Sequence, residues 1–305
     1  MMQTGGVQTV RLTLDWRSVQ PTGPSTFDWT HMDELVGSLA AADIEVVPQF
    51  IATPGWLGPT TFTPPVHSAE AKNDWSAFLT AAVQRYGPTG QFWVDNPTIP
   101  FTPVTHWQIW NEQNSPGFFE PKPNPKLYTK LLAISSDAIH AVDADAQIVL
   151  GGMFRTTGKK NSIYPWKYLK SLYELKASKY FDVVGTHPYG FNVNDVKAQV
   201  KRMSDTIKAH HDSASLWVDE IGWGSAKSGS KFNKGLQGQA KILTQAYDYF
   251  TSHSKALNLE RVYWYTFRDS TPSKDACGFC NSDGLFDKKG NPKPAWTAFT
   301  SFAAP

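Results

Sequence analysis

Val104-Thr-His-Trp-Gln-Ile-Trp-Asn-Glu-Gln-Asn114 is the stretch that decides the fold. A β-branched and aromatic run of strand length stops abruptly at Asn111-Glu112, so polar side chains emerge at the C-terminal end of a buried strand. Working outward, six further runs read the same way: Gln8–Leu14, Glu45–Gln49, Gln147–Gly151, Val183–Thr186, Leu216–Asp219 and Arg261–Thr266. Between them lie segments with apolar residues three and four apart: Met32, Leu35, Leu39; Trp75, Phe78, Leu79, Ala82; Leu127, Leu131, Ser135, Ala138, Val142; and Leu236, Ala240, Leu243, Tyr247, Phe250. That spacing lays one apolar stripe of a helix against a sheet, and strands alternating with such helices predict an α/β fold with a parallel sheet.

The irregular pieces, about residues 51–68, 88–103, 112–124 and 267–290, all follow or precede strands, and no Pro- or Gly-rich linker splits the chain. One domain over 1–305 is expected, a (β/α)8 TIM barrel with its chemistry on loops at the strands' C-terminal ends. An open doubly wound sheet would want a Gly-rich phosphate turn after its first strand. Here that strand runs instead into Asp15-Trp16-Arg17. Seven strands are counted where a closed barrel needs eight, and Met1–Gly6 reads as the tail of a helix. The expectation is therefore a barrel lacking its first strand and most of its first helix; the alternative is an overlooked strand in Phe92–Phe101.

Composition narrows the function classes. Twenty-nine basic residues against 27 acidic ones leave a formal charge of +2 without a basic run, which speaks against a nucleic-acid partner. No apolar stretch approaches the roughly 20 residues of a membrane span, and Met1 to Gly6 lack the pattern of an export signal, so a soluble chain is expected. The native compartment stays open, because a secretion signal could have been lost with a missing front. Cys277 and Cys280 sit in a polar loop, where a disulfide is the favoured reading; two thiols cannot supply a four-ligand zinc site. No metal and no cofactor are expected, since neither a Gly-rich phosphate loop nor a spaced His/Asp cluster is present. Twelve Trp and 13% aromatic residues are a weak hint of flat surfaces for sugar rings.

A second strand end matches the first: Leu216-Trp-Val-Asp-Glu-Ile-Gly-Trp-Gly224, where Glu220 closes a strand and Gly222 and Gly224 would let the backbone turn. Two strand-end carboxylic acids are what glycosidic hydrolysis needs, one to protonate the leaving oxygen and one to meet the oxocarbenium-like centre. Glu112 and Glu220 are 108 residues apart, so only a fold can bring them to one bond.

Trp110-Asn111-Glu112 in the place of a fourth barrel strand, with Asp219-Glu220 in that of a seventh, resembles clan A of the glycoside hydrolases, (β/α)8 enzymes that retain anomeric configuration. Within the clan the chain is most similar to glycoside hydrolase family 39, the β-xylosidase and α-L-iduronidase family, and its endo-acting bacterial relatives. Val10-Arg11, Asp15-Trp16, Thr53-Pro54-Gly55-Trp56, His187-Pro188-Tyr189, Trp264, Gly284-Leu285-Phe286-Asp287 and Pro292-Lys293-Pro294-Ala295-Trp296 carry the likeness along nearly the whole chain. It departs at the front and at Gln113, where many relatives have Pro.

The resemblance implies Glu112 as acid/base and Glu220 as nucleophile. It further implies that Asn111 holds the sugar 2-hydroxyl, that Arg11 and Tyr189 orient the nucleophile, that His187 contacts substrate or the acid/base, and that Trp264 is the floor under the reacting sugar. Trp56 and Trp223 are candidate cleft walls. The partner is then a carbohydrate. A catalytically impaired, sugar-binding remnant is the alternative, because a strand lost next to Arg11 could spoil the site. Sugar identity, endo or exo action and oligomeric state are not readable from the sequence.

Overall fold

A computed structural model describes residues 1–155, 161–227, 229–271 and 277–303, so part of the 267–290 loop lies outside the described residues. In chain order the longer elements are β1 (Thr9–Asp15), α1 (Trp16–Val19), α2 (Thr30–Ala40), β2 (Glu45–Ile51), α3 (Ala69–Tyr86), α4 (Gln91–Asp95), β3 (His106–Ile109), α5 (Pro125–His140), β4 (Gln147–Leu150), the two-residue β5 (Met153–Phe154), α6 (Pro165–Glu174), β6 (Val183–His187), α7 (Val193–Ala209), β7 (Ser215–Ile221), α8 (Gly235–Leu257), β8 (Leu259–Trp264) and α9 (Pro294–Ala303). All seven strands expected from sequence are present with shifted ends. Phe92–Phe101 contains α4 rather than a strand, and Met1–Gly6 carries a single 3-10 turn, Gln3–Gly5.

The chain divides into two compact units. The larger comprises Gln8–Gly185 and Thr206–Ala214. In it β1 pairs with β2, β2 with β3, β3 with β4 and β4 with β6, every pair parallel, so neighbours in sequence are neighbours in the sheet. Parallel pairing forces a crossover after each strand, and the helices supply it.

The crossover helices start where side chains can take up their free N–H groups: Ser68 accepts from Ala71 N at the start of α3, and Asn124 from Leu127 N at the start of α5, with Pro125 in the first turn. Trp75, Phe78, Leu79 and Ala82 of α3 are buried as their spacing predicts. On α5 the buried face is Tyr128, Leu131, Leu132, Ser135, Ala138 and Ile139, one step round from the predicted Leu127 and Val142. Trp16 stacks on Phe78 at 5.3 Å between centroids and Phe50 stacks on Trp107 at 5.5 Å, forming an aromatic core under the β1–β3 end.

The smaller unit comprises Met1–Val7, Thr186–Asp205 and Ser215–Pro305. Here β7 pairs with β8 in parallel, with register shifts between Leu216 and Trp217 and between Val218 and Ile221. Leu243, Tyr247 and Phe250 of α8 are buried, whereas Leu236 is 51% exposed. The closing motif Gly284-Leu285-Phe286-Asp287 and Pro292–Trp296 is structural: Leu285 N donates to Thr266 O, Phe286 N to Phe267 O and Lys293 N to Leu285 O, while Phe286 packs on Trp296 at 4.9 Å. Six of the 12 Trp (Trp16, Trp75, Trp107, Trp110, Trp217 and Trp223) are fully buried, so much of the aromatic content serves the core. Among the described residues no helix is long and apolar enough to cross a membrane.

Candidate active site

Glu112 stands in the larger unit, three residues beyond β3, on a turn the local sequence would not choose. Trp110 and Glu112 both have left-handed backbones, with φ of 70° and 43°, and side-chain-bearing residues adopt that region at a cost of about 1 kcal/mol or more each. Tertiary contacts hold the turn. Trp110 N donates to Phe50 O, Glu112 N to Gly152 O at 2.9 Å, and the Trp110 indole N–H to Phe118 O at 2.5 Å. Gly151 is obligatory beside it, because a Cβ there would lie 2.8 Å from the Trp110 carbonyl. Glu112 and Asn111 are 8% and 9% exposed, buried enough to lie in a cleft floor and open enough to be reached.

Arg11 reaches this turn from β1. Its Nε donates to Gln108 Oε1 at 2.5 Å and its Nη2 to Asn111 Oδ1 at 2.8 Å, and Gln108 Nε2 donates to Leu150 O. Gln108, which sequence reasoning passed over, is therefore the bridge from Arg11 to the end of β4. Its signal was an amide side chain set between Trp107 and Ile109 at the buried end of the strand. Trp56 is half-buried, edge-on to Trp16 at 6.0 Å, with its indole N–H donated to Gln20 O.

In the smaller unit, Glu220 is the penultimate residue of β7. The Tyr189 hydroxyl donates to Glu220 Oε1 at 2.8 Å, and His187 Nε2 lies 3.6 Å from both Asp219 Oδ2 and Glu220 Oε2. The His187 and Asp219 side chains are fully buried, whereas that of Glu220 keeps 14% exposure. Burial first, and the Glu220 carboxylate second, hold the Tyr189 phenol well above its ordinary pKa, so it stays a proton donor in this bond.

Gly222 and Gly224 were expected to supply turning freedom, but neither has a positive φ. What they supply is room: a Cβ on Gly222 would overlap the Tyr265 carbonyl oxygen, and one on Gly224 the Asn233 side chain. Trp264 is half-buried, donating its indole N–H to Asp283 O at 2.8 Å. Trp223 is fully buried 6.0 Å from Trp264, its N–H on Gly190 O. A disulfide joins Cys277 to Cys280.

A family model described as the glycosyl hydrolase catalytic core matches residues 119–299, more than half of the chain. The chain belongs to that family. No curated protein matches it. Among solved structures it is similar to a family 39 glycoside hydrolase from the gut symbiont Bacteroides cellulosilyticus WH2 (20% identity, TM-score 0.71), covering 99% of this chain and 59% of that one. A monomeric β-xylosidase from Caulobacter crescentus CB15 gives 19% identity and a TM-score of 0.72 over 99% of this chain and 63% of that one. Xylanase 10B from Thermotoga maritima gives 18% and 0.67 over 96% and 86%. At such identities the likeness is one of fold, the α/β (β/α)8 barrel class. The chain spans about three fifths of the length of the first two proteins.

This glycosyl hydrolase catalytic core also holds charged groups outside the predicted site residues, of which only Lys293 stands in a motif that carries the likeness. Asp283 is fully buried, and neither of its carboxyl oxygens has a hydrogen-bond partner among the described residues. Burial pushes its pKa up to about 9; Asp269 and Glu220 add to the rise, while the nearness of its own backbone N–H and Lys293 oppose it. Lys293, 5% exposed, donates to Asp269 Oδ1 at 2.6 Å, Ser225 Oγ at 2.9 Å and Ser282 O at 3.0 Å. Burial lowers its pKa against the pull of Asp269. The Lys293–Asp269 pair thus closes the segment following β8 on itself, and the bond from Lys293 to Ser225 ties that segment to the loop following β7.

Proposed function

We propose that the chain hydrolyses O-glycosidic bonds of a β-linked glycoside or polysaccharide by double displacement, with Glu112 as acid/base and Glu220 as nucleophile. The observation that carries this reading is the setting of Glu220: a strand-end carboxylate held at Oε1 by a phenol that remains protonated, beside a buried His187, with 14% of its side chain exposed. A hydrogen bond fixes the carboxylate's direction of attack without neutralising it. Glu112 supports the complementary role, since it follows Asn111 on a rigid turn, and Arg11 sets the Asn111 amide. In this reading Asn111 holds the sugar 2-hydroxyl, His187 contacts substrate or the acid/base, and Trp264 lies under the reacting sugar.

In the first step Glu112 gives its proton to the leaving oxygen while a Glu220 oxygen bonds to the anomeric carbon. In the second, Glu112 takes a proton from water, whose oxygen displaces Glu220 and leaves the product with its original configuration. This sequence requires the two carboxyl groups to meet at one bond, about 5–5.5 Å apart. A β-xylosidase and a xylanase stand among the similar structures, which makes β-xylosides and xylan the first substrates to test.

The deciding experiment is trapping with a 2-fluoro glycoside followed by peptide mass spectrometry. Label on the peptide bearing Glu220, absent from Glu220→Gln, is expected. Sugar binding without label or turnover would favour a non-catalytic carbohydrate-binding chain instead.

A further inference from the structure

We propose that Phe191 and Phe232 form an aromatic shelf that binds a second pyranose ring of an extended oligosaccharide, next to the sugar attacked by Glu220. This rests on the reading of Glu220 as nucleophile. The shelf lies wholly within the smaller unit and is continuous with the nucleophile: Tyr189, whose hydroxyl holds Glu220, packs edge-on against Phe279 at 5.5 Å and Phe232 at 6.4 Å between centroids. Phe232 stacks on Phe279 at 4.5 Å, and Phe191 closes the row at 4.8 Å from Phe232. Phe279 is buried and Phe232 half-buried, whereas Phe191 is 47% exposed. Exposure therefore rises with distance from Glu220, as in a wall that emerges from the core into solvent.

Three separate segments build this wall, and hydrogen bonds hold the backbone of each. Phe191 N donates to Asp195 Oδ2, and the preceding Gly190 carbonyl accepts the Trp223 indole N–H. Phe232 N donates to Ser230 Oγ, while Phe232 O accepts from Gly224 N. Phe279 sits between the two cysteines of the Cys277–Cys280 disulfide, and its carbonyl accepts from Ser282 N. A large apolar ring presented to water in a fixed orientation gains by covering its face, and the C–H face of a pyranose fits a flat ring. Lys231 Nζ stands over the Phe191 ring, 5.6 Å from its centroid, and a sugar stacking on that face would displace it, leaving its three N–H donors for the sugar hydroxyls. The mix of fixed rings and a polar head matches a carbohydrate better than a protein partner, whose contact surface would be broader.

The test compares the whole chain with Phe191→Ala and Phe191→Trp. Substrates are β-1,4-linked xylohexaose and cellohexaose, set against the 4-nitrophenyl monoglycosides of the same sugars. The ratio of kcat/KM for hexasaccharide over monoglycoside is expected to fall about 10-fold in Phe191→Ala, the worth of one stacked ring, and to be retained in Phe191→Trp. Binding of the same hexasaccharides to Glu220→Gln and to Glu220→Gln/Phe191→Ala, by calorimetry, separates the two readings. Affinity that drops about 10-fold with Phe191→Ala while no form turns over sugar would uphold the shelf and overturn hydrolysis. Turnover with an unchanged ratio and unchanged affinity would overturn the shelf and leave hydrolysis standing. A change of oligomeric state on Phe191→Ala with no change in sugar affinity would assign the patch to protein association, and hexasaccharides that neither bind nor react would overturn both.

Discussion

The Tyr189 hydroxyl donates a 2.8 Å hydrogen bond to Oε1 of Glu220, and burial keeps that phenol protonated. A charge-assisted hydrogen bond of this kind contributes about 1.5–3 kcal/mol. Tyr189→Phe deletes it while keeping the ring that packs on Phe279. The expected result is a fall of roughly 10- to 100-fold in kcat on the best aryl glycoside, with KM changed much less. Equal losses in kcat and thermal stability would instead give Tyr189 a purely structural role.

Asp283 sets a pH dependence of stability. Its carboxyl titrates near 9 in the folded chain, against about 3.9 for an unperturbed Asp in an unfolded one. The folded state thus binds the proton more tightly, so this group's favourable contribution is complete below about pH 4. It declines as pH rises and is lost above about pH 9. Asp283→Asn keeps the shape of the neutral acid and cannot ionise. Thermal or urea unfolding of both proteins from pH 4 to 10 should show the wild type losing stability relative to Asp283→Asn, by at most about 1.4 kcal/mol per pH unit. Parallel curves across that range would mean that Asp283 is already ionised at neutral pH.

Gln108 joins Arg11 to the carbonyl of Leu150 from a fully buried position. Gln108→Leu preserves volume but removes both bonds, leaving polar groups to be desolvated without it. A loss of about 1–3 kcal/mol in urea unfolding is expected, together with reduced turnover as Arg11 and Asn111 lose their alignment. Wild-type stability in the variant would show that water or another group replaces the amide freely.

Gly222 faces the backbone of Tyr265 with no space for a methyl group. Gly222→Ala forces β7 and the segment after β8 apart, at roughly 1–3 kcal/mol or more from overpacking, and its melting temperature should fall accordingly. Gly229→Ala, in the same unit, meets a different obstacle: its neighbourhood has room, but its φ of 94° disfavours a side chain. The second variant should therefore lose less stability than the first.

Chain order alone settled the strands, since each β-branched run sits where a parallel strand formed, and the helical spacing of Trp75, Phe78, Leu79 and Ala82 identified the face that is buried. Those features are local: the period of apolar residues fixes which surface must leave water, whatever the partner. The strand-end positions of Asn111, Glu112 and Glu220 were legible for the same reason. What the sequence could not decide was conformation and environment created by distant segments. The left-handed backbone of Trp110 and Glu112 runs against local preference and is held by Phe50, Gly152 and Phe118. Gly222 is required by the approach of Tyr265, 43 residues later, rather than by its own turn. Asp283 reads in the sequence as an ordinary loop acid; only the fold removes water from it and places Asp269 and Glu220 near enough to disfavour its charge. Periodicity encodes what must be buried, whereas desolvation, steric room and the field at a carboxyl group exist only after remote parts of the chain have packed around it.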